Sequence, residues 1–124
     1  MIKLLKIDGN RGYFFPIPEE VKKVVIGKEG DELRLKWTNL ETLSKKYAEL
    51  AQGASGKWEI EILNSTKEIM VRGDMLQRST VIALANMGDL KNSGDLVEIV
   101  GEITFKLVEE IEETGLTTSQ EPVQ

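Results

Sequence analysis

Short alternating runs of apolar and polar residues, separated by turn residues, fill the beginning of the chain. IKLLKI begins at Ile2 and YFFPIP ends at Pro18, and the DGNRG cluster between them contains Gly and Asn, which readily adopt positive φ. The pattern predicts two strands joined by a turn. Because Pro16 has no amide hydrogen to donate, we predict that the second strand lies at the edge of its sheet or pairs through alternate positions.

A short helix is predicted between Pro18 and Gly27. Proline suits the first helical position, where no amide donor is needed, and glycine can end a helix in the left-handed conformation. A turn at Gly30 and Asp31 follows, and ELRLKW then alternates as a strand. The apolar face of this strand carries Leu33, Leu35 and Trp37.

The rest of the chain predicts a mixture of helices and strands. Apolar residues recur at helical spacing over residues 38–53 and 74–88, so both segments are predicted as amphipathic helices. Between them, KWEIEIL and KEIMVRG predict a β-hairpin that turns at residues 64–65. Residues 96–108 fit both a helical stripe and strand alternation, and their β-branched residues together with Gly101 favour a strand. The predicted fold class is therefore α+β, with the order strand, helix, hairpin, helix, strand.

Composition narrows the possible chemistry. The chain has 124 residues, 40% hydrophobic and 30% charged, and contains neither Cys nor His. Disulfides, thiolate nucleophiles, Cys-based zinc sites and histidine catalysis are thereby excluded. No apolar run is long enough for a membrane span or a secretory signal. We therefore expect a cytoplasmic, non-enzymatic protein with no catalytic residue, metal, cofactor or membrane partner.

Charge is distributed unevenly along the chain. The formal net charge is -5, yet residues 1–37 hold eight Lys and Arg against six Asp and Glu, which leaves this part at +2 and the remainder at -7. Attraction to nucleic-acid phosphates grows with the number of cations that reach them. Any nucleic-acid interface is therefore expected in the N-terminal part, and the acidic remainder suits a basic protein partner.

The run IPEEVKKVVIGKEGDELRL, from Ile17 to Leu35, carries the most specific pattern in the chain. It resembles, without gaps, the I-P-x-E-I-R-R-x-L-x-x-x-E-G-D-x-L-x-I run of the AbrB/MazE swapped-hairpin family. The resemblance implies an N-terminal swapped-hairpin β unit, a homodimer and DNA binding. The DNA-binding residues that it implies are Lys22, Lys23, Lys6 and Arg11.

A second stretch, from KEIMVRG to LVEIVGEI, is similar to the central β-α-β unit of Alba-like proteins. In that family an E-I-x-I-x-x-x-G strand leads into a helix with a basic residue. The matching positions here are Arg72, Gly73 and Arg78. The resemblance implies secondary nucleic-acid contacts at Arg72 and Arg78.

Other patterns have simpler interpretations. Gly-Asp occurs four times, and each pair suits a turn or helix cap better than a magnesium site. Trp37 and Trp58 each fall on the apolar side of a strand and are expected in the core rather than stacked on bases.

Together these observations predict three segments: an AbrB-like swapped hairpin at 1–37, an α+β module at 38–114 and a polar tail at 115–124. The first hypothesis for function is a homodimeric DNA-binding transcriptional regulator. The alternative is a non-enzymatic protein-interaction domain, antitoxin-like or a virus-encoded inhibitor, whose acidic C-terminal half binds a basic partner. A magnesium-dependent nuclease is the third hypothesis.

Overall fold

Two β-sheets face each other in the computed structural model, which describes residues 1–64 and 66–110. None of the described residues forms an α-helix. The strands are β1 (Ile2–Asp8), β2 (Arg11–Ile17), β3 (Lys23–Glu29), β4 (Glu32–Lys36), β5 (Lys45–Gln52), β6 (Trp58–Ile62), β7 (Ile69–Val71), β8 (Asp74–Met75), β9 (Ser79–Ile82), β10 (Ala85–Asn86), β11 (Val97–Ile99) and β12 (Ile103–Glu109). Short 3-10 turns lie at Leu40–Thr42 and Met87–Asp89.

The first sheet has the strand order β2-β1-β12-β11-β7-β8, with β10 pairing in parallel with the end of β12. The second sheet has the order β4-β3-β5-β6-β9. Apart from β10, all strand pairs are antiparallel. The prediction that the strand containing Pro16 lies at a sheet edge is confirmed, because among the described strands β2 pairs with β1 alone.

The main core fills the space between the sheets. Most core residues follow from the alternation of buried and exposed positions along a strand. In β6, Trp58 and Ile60 are buried while Glu59 and Glu61 face solvent. The largest fully buried side chains are those of Trp58, Tyr47, Phe105, Leu4, Ile17, Ile26, Leu50, Ile60, Ile69, Ile99 and Leu107. Trp58 therefore lies in the core as predicted, whereas Trp37 is 39% exposed.

A smaller apolar cluster lies on the other face of the first sheet, where Leu5, Ala85 and Val108 pack together. Lys106 is on this face too, and its side chain is buried beneath the loop that follows β10. The ammonium group donates hydrogen bonds to the backbone carbonyls of residues Leu90, Lys91 and Ser93, at 2.8, 3.4 and 2.8 Å. This single side chain thus ties the loop to β12.

The predicted α+β class is wrong, and the segments predicted as helices explain why. Residues 19–27 include three consecutive buried apolar residues of β3, an interior strand that is covered on both faces, so its apolar run does not alternate. Residues 38–53 contain β5, where Tyr47 is an extra residue opposite β3. This bulge buries Tyr47 together with Ala48, and two adjacent buried residues imitate helical spacing.

Two further predictions, a helix at 74–88 and a hairpin before it, are also wrong, and the strand prediction for 96–108 is confirmed. Residues 74–88 form β8, β9 and β10 instead of a helix, since their apolar residues serve both sheets. The predicted hairpin at 58–73 does not form, because β6 belongs to the second sheet and β7 to the first. The strand interpretation of 96–108 holds as two strands, β11 and β12, which turn at Gly101 with φ of 83°.

The main core takes side chains from both sides of residue 37, including Ile26 before it and Leu50 after it. The division into 1–37 and 38–114 stays a prediction about segments of the chain. The predicted tail, 115–124, lies outside the described residues. Within the described part of the chain, no helix is long and apolar enough to cross a membrane.

Candidate functional site

Four segments of the chain meet at one end of the sandwich and bring cationic side chains together. They are the end of β3, the start of β5, the loop from β6 to β7 and the turn from β11 to β12. Their chemistry-bearing side chains are Lys28, Ser44, Lys67 and Glu102, which we call the Glu102 cluster. The members come from four separate segments, so only the fold places them side by side.

One carboxylate bridges two ammonium groups in this cluster. Glu102 Oε1 lies 3.4 Å from Lys28 Nζ, and Glu102 Oε2 lies 3.1 Å from Lys67 Nζ. The hydroxyl of Tyr47 donates a hydrogen bond of 3.3 Å to Oε2. The Glu102 side chain is 10% exposed, while those of Lys28 and Lys67 are 27% and 34% exposed. The two cations are therefore more open to solvent than the carboxylate that holds them.

The surroundings of Glu102 determine its ionisation. Burial acts to raise the pKa of this carboxyl group, because the charged form loses hydration. Hydrogen bonds and charge attraction from Lys67 and Lys28 act in the opposite direction and together outweigh burial. The pKa of Glu102 is consequently lowered from its ordinary value of 4.5. Glu102 is ionised at neutral pH.

This lowered pKa predicts a pH-dependent contribution to stability. A group with a lower pKa in the folded state stabilises the fold above its ordinary pKa, and that contribution is lost as pH falls through the folded value. We expect the free energy of unfolding of the wild type to exceed that of Glu102→Gln at pH 7, with the difference shrinking below about pH 4.5. Denaturant unfolding of both proteins from pH 7 to pH 3 measures it. Glu61→Gln, at an exposed position, is the control; a difference independent of pH would contradict the expectation.

Local backbone structure positions Ser44 beside Lys28. The amide of Ser44 donates to the carbonyl of Lys28 at 2.8 Å, and the Ser44 hydroxyl donates to the same oxygen at 3.2 Å. The neighbouring Gly27 lies so close to β5 that a Cβ atom there would be 2.1 Å from the Lys45 carbonyl oxygen. A residue without a side chain is needed for the two strands to approach at this point.

Further positive charge lies next to the cluster. Lys45 stands directly opposite Lys28 in the β3–β5 ladder, and Lys46 stands opposite Gly27. Like charges directly opposite each other destabilise a sheet. Carboxylates are present at this end too, since Glu29 and Glu32 face each other in the adjoining β3–β4 turn. The partly exposed ammonium groups of Lys28 and Lys67 are the feature that suits an anionic ligand. Among the described residues, no group of three or more carboxylates is placed to hold a metal ion.

The residues that the sequence assigned to DNA are not brought together. Lys6 and Arg11 lie near the β1–β2 turn, while Lys22 and Lys23 precede or begin β3 at the opposite end. β2, which connects the two ends, spans seven residues, or about 20 Å. Lys23 Nζ lies 3.8 Å from Glu49 Oε2 on the adjacent strand. The DNA contacts of these four residues stay a prediction that no shared face supports.

Arg72 and Arg78, the two secondary positions, do not belong to the Glu102 cluster. Arg72 has φ of 56°, and its NH1 atom lies 2.7 Å from Asp95 Oδ2. Asp95 Oδ2 also accepts a hydrogen bond of 2.8 Å from the amide of Ala83, so the pair joins two loops. Arg78 is exposed between β8 and β9. Arg72 has a structural role, and nucleic-acid contacts at both positions stay a prediction.

Sequence reasoning did not identify Lys28, Ser44, Lys67 or Glu102 as site residues. Lys28 falls inside the run that resembles the swapped-hairpin family, where it was part of the spacing between helix and turn. A lysine, a serine or a glutamate is common on any surface and carries no local signal. The one local clue was Gly27, which the helix interpretation used as a helix end.

No protein-family model matches the chain, and no curated protein matches it. Solved structures do. The crystal structure of the FHA domain of the CT664 protein from Chlamydia trachomatis superimposes with a TM-score of 0.61 and 18% identity, over 87% of this chain and 96% of that one. Mycobacterium tuberculosis EmbR in complex with a low-affinity phosphopeptide superimposes with a TM-score of 0.56 and 19% identity, over 92% of this chain and 26% of that one.

These neighbours correct the predictions drawn from family resemblance. The chain shares its β-sandwich fold with an FHA domain, so the AbrB/MazE and Alba resemblances are wrong as indications of fold. The hypothesis of an AbrB-like DNA-binding transcriptional regulator is wrong for the same reason, and neither DNA nor a homodimer is supported. The alternative, a protein-interaction domain, is not contradicted by these neighbours.

Proposed function

We propose that this protein is a non-enzymatic interaction module that binds a phosphorylated segment of a partner protein at the Glu102 cluster. The observation that carries the proposal is the pair of partly exposed ammonium groups, Lys28 and Lys67, held 3.4 and 3.1 Å from the two oxygens of one carboxylate. The expected cytoplasmic location stays a prediction alongside it.

The chemistry of the cluster matches a phosphate group. A phosphorylated side chain carries a charge of about -1.5 to -2 at neutral pH and three strong acceptor oxygens. Lys28 and Lys67 offer two ammonium donors, and the Ser44 hydroxyl adjoins the Lys28 carbonyl. Charge-assisted hydrogen bonds of this kind are about twice as strong as neutral ones. The site therefore offers positive charge and donors together at one accessible end of the sandwich.

The fold supports a protein ligand more than a nucleic acid. Phosphates of a duplex are contacted by cations spread along an extended face. The cations of the Glu102 cluster are instead confined to one end, where the connections between strands converge. EmbR, in which 26% of the chain superimposes on this protein, was solved with a phosphopeptide. At 19% identity that likeness concerns the fold, and the proposed ligand class depends on the residues of the site.

Peptide binding tests the proposal. Fluorescently labelled degenerate peptides centred on phosphothreonine, phosphoserine or phosphotyrosine are compared with their unphosphorylated forms by anisotropy at low salt. We expect binding that depends on phosphate, and a loss of about tenfold or more in affinity for Lys28→Met and for Lys67→Met, because each removes one charge-assisted hydrogen bond. Lys57→Met, at an exposed position in the turn between β5 and β6, is the matched control.

Two results would argue against a phosphate site. Equal binding of phosphorylated and unphosphorylated peptides would remove the role of the phosphate group. Unchanged affinity in both lysine variants, with a normal melting temperature, would move any binding away from the Glu102 cluster. Increasing salt should weaken the wild-type interaction, since exposed charge pairs are screened.

A further inference from the structure

The geometry points to Glu102 as an internal competitor for the phosphate group, so that the free protein carries its own anion in the binding site. This inference rests on the proposed function and concerns the regulation of the same site. An incoming anion must then bind Lys28 and Lys67 more strongly than the Glu102 carboxylate does.

The position of the carboxylate supports this role. Its two oxygens take one lysine each, Oε1 at 3.4 Å from Lys28 and Oε2 at 3.1 Å from Lys67. A phosphate that uses both ammonium groups must approach the space that this carboxylate fills. An anion with one negative charge would gain little by replacing the Glu102 carboxylate. A phosphate dianion has the larger charge and more acceptor oxygens.

The location of Glu102 in the chain allows the carboxylate to leave. Glu102 lies in the turn from β11 to β12, directly after Gly101, and its own amide donates to the Ile99 carbonyl at 2.8 Å. Among the described residues, the side-chain partners of this carboxylate are Lys28, Lys67 and the hydroxyl of Tyr47. The backbone of the turn is thus held independently of the carboxylate, which can rotate away without breaking strand pairing.

Opposite effects on stability and binding follow. In the free protein Glu102 neutralises two cations, and its lowered pKa indicates that the folded state favours the charged form. In the complex the same charge repels the incoming phosphate. Removing the charge while keeping the shape should therefore lower stability and raise affinity. If Glu102 only positioned the two lysines, removing its charge would lower both stability and affinity.

Glu102→Gln tests the inference with two probes, a phosphopeptide selected as above and inorganic phosphate. We expect the phosphopeptide to bind Glu102→Gln about tenfold more tightly than wild type at neutral pH, and inorganic phosphate to raise the melting temperature of the variant more than that of wild type. Glu59→Gln, an exposed carboxylate on β6, is the matched control and should bind as wild type does. The gain should shrink in the Lys67→Met background, because the competing ion pair is already reduced.

The outcomes separate this inference from the proposed function. Phosphate-dependent peptide binding that is unchanged or weaker in Glu102→Gln overturns the competitor role and leaves the proposed function standing. Tighter binding of inorganic phosphate to Glu102→Gln, with no phosphopeptide binding by either protein, supports the competitor and contradicts the peptide-binding function. If neither probe binds either protein, both are overturned.

Discussion

Replacing Gly27 with alanine is expected to lower the free energy of unfolding by about 3 kcal/mol or more, because the new methyl group has no space. A Cβ atom at Gly27 would lie 2.1 Å from the carbonyl oxygen of Lys45 and 3.1 Å from its carbonyl carbon. Both are backbone atoms of β5, so a change of side-chain rotamer cannot relieve the contact. β3 and β5, which are neighbouring interior strands of the second sheet, would have to separate.

The consequences should extend to the binding site. Lys28 follows Gly27 directly, and its carbonyl accepts hydrogen bonds from the amide and hydroxyl of Ser44. Moving β3 away from β5 would disturb both bonds. We therefore expect Gly27→Ala to lose phosphopeptide binding along with stability, and its melting temperature to fall by roughly 10 °C.

Thermal and denaturant unfolding of Gly27→Ala measure this effect, with Gly53→Ala as the matched control. A Cβ atom at Gly53 would have a single neighbour, the Lys57 carbonyl oxygen at 3.9 Å, so alanine fits there. The control should change stability by less than about 1 kcal/mol. If Gly27→Ala unfolded at the same denaturant concentration as wild type, the close approach of β3 and β5 would be incorrect.

Replacing Lys106 with methionine is expected to cost about 2 to 4 kcal/mol, because it removes the donors from three backbone carbonyls. Methionine keeps most of the length and the apolar stem of lysine. The ammonium group that it removes donates to Leu90, Lys91 and Ser93 beneath the loop after β10. Lys106 is 7% exposed, so water cannot readily take over these bonds.

The loop should loosen before the sheets do. Hydrogen exchange of the amides in residues 87–96 is expected to accelerate in Lys106→Met more than exchange in β12 itself. Lys57→Met, at an exposed position, should leave both exchange and the melting temperature unchanged. A loss of stability under about 1 kcal/mol, with unaltered exchange in the loop, would show that these bonds contribute little.

The β-rich part of the structure was predictable where burial alternates and turns have clear chemistry. The strands at the beginning of the chain, the turn at Gly30 and the alternation of KWEIEIL all follow from local sequence. The edge position of Pro16 follows from its missing amide hydrogen. Apolar residues at helical spacing gave wrong helix predictions in two places. β3 is buried on both faces, and the bulge at Tyr47 buries two neighbouring residues of β5.

The candidate site was not predictable by the same means. Lys28, Lys67 and Glu102 stand far apart in the sequence, and no period of two or 3.6 residues relates them. The sequence assigned DNA binding to Lys6, Arg11, Lys22 and Lys23. The structure places the first two at the opposite end of the sheets from the last two. Resemblance over a short run suggested a helix and a swapped hairpin that the chain does not form.

By itself, the sequence determined the properties that depend on neighbouring residues: most strand positions, the turns, the edge proline and a chemistry without Cys or His. Tertiary structure alone decided which strands pair, that residues 45–52 form an interior strand, and that Glu102 contacts Lys28 and Lys67. The physical reason is the range of the interactions. Spacing along the chain reports which side of an element is buried, whereas sheet pairing and ion pairs join residues that only the packed fold brings within a few ångströms.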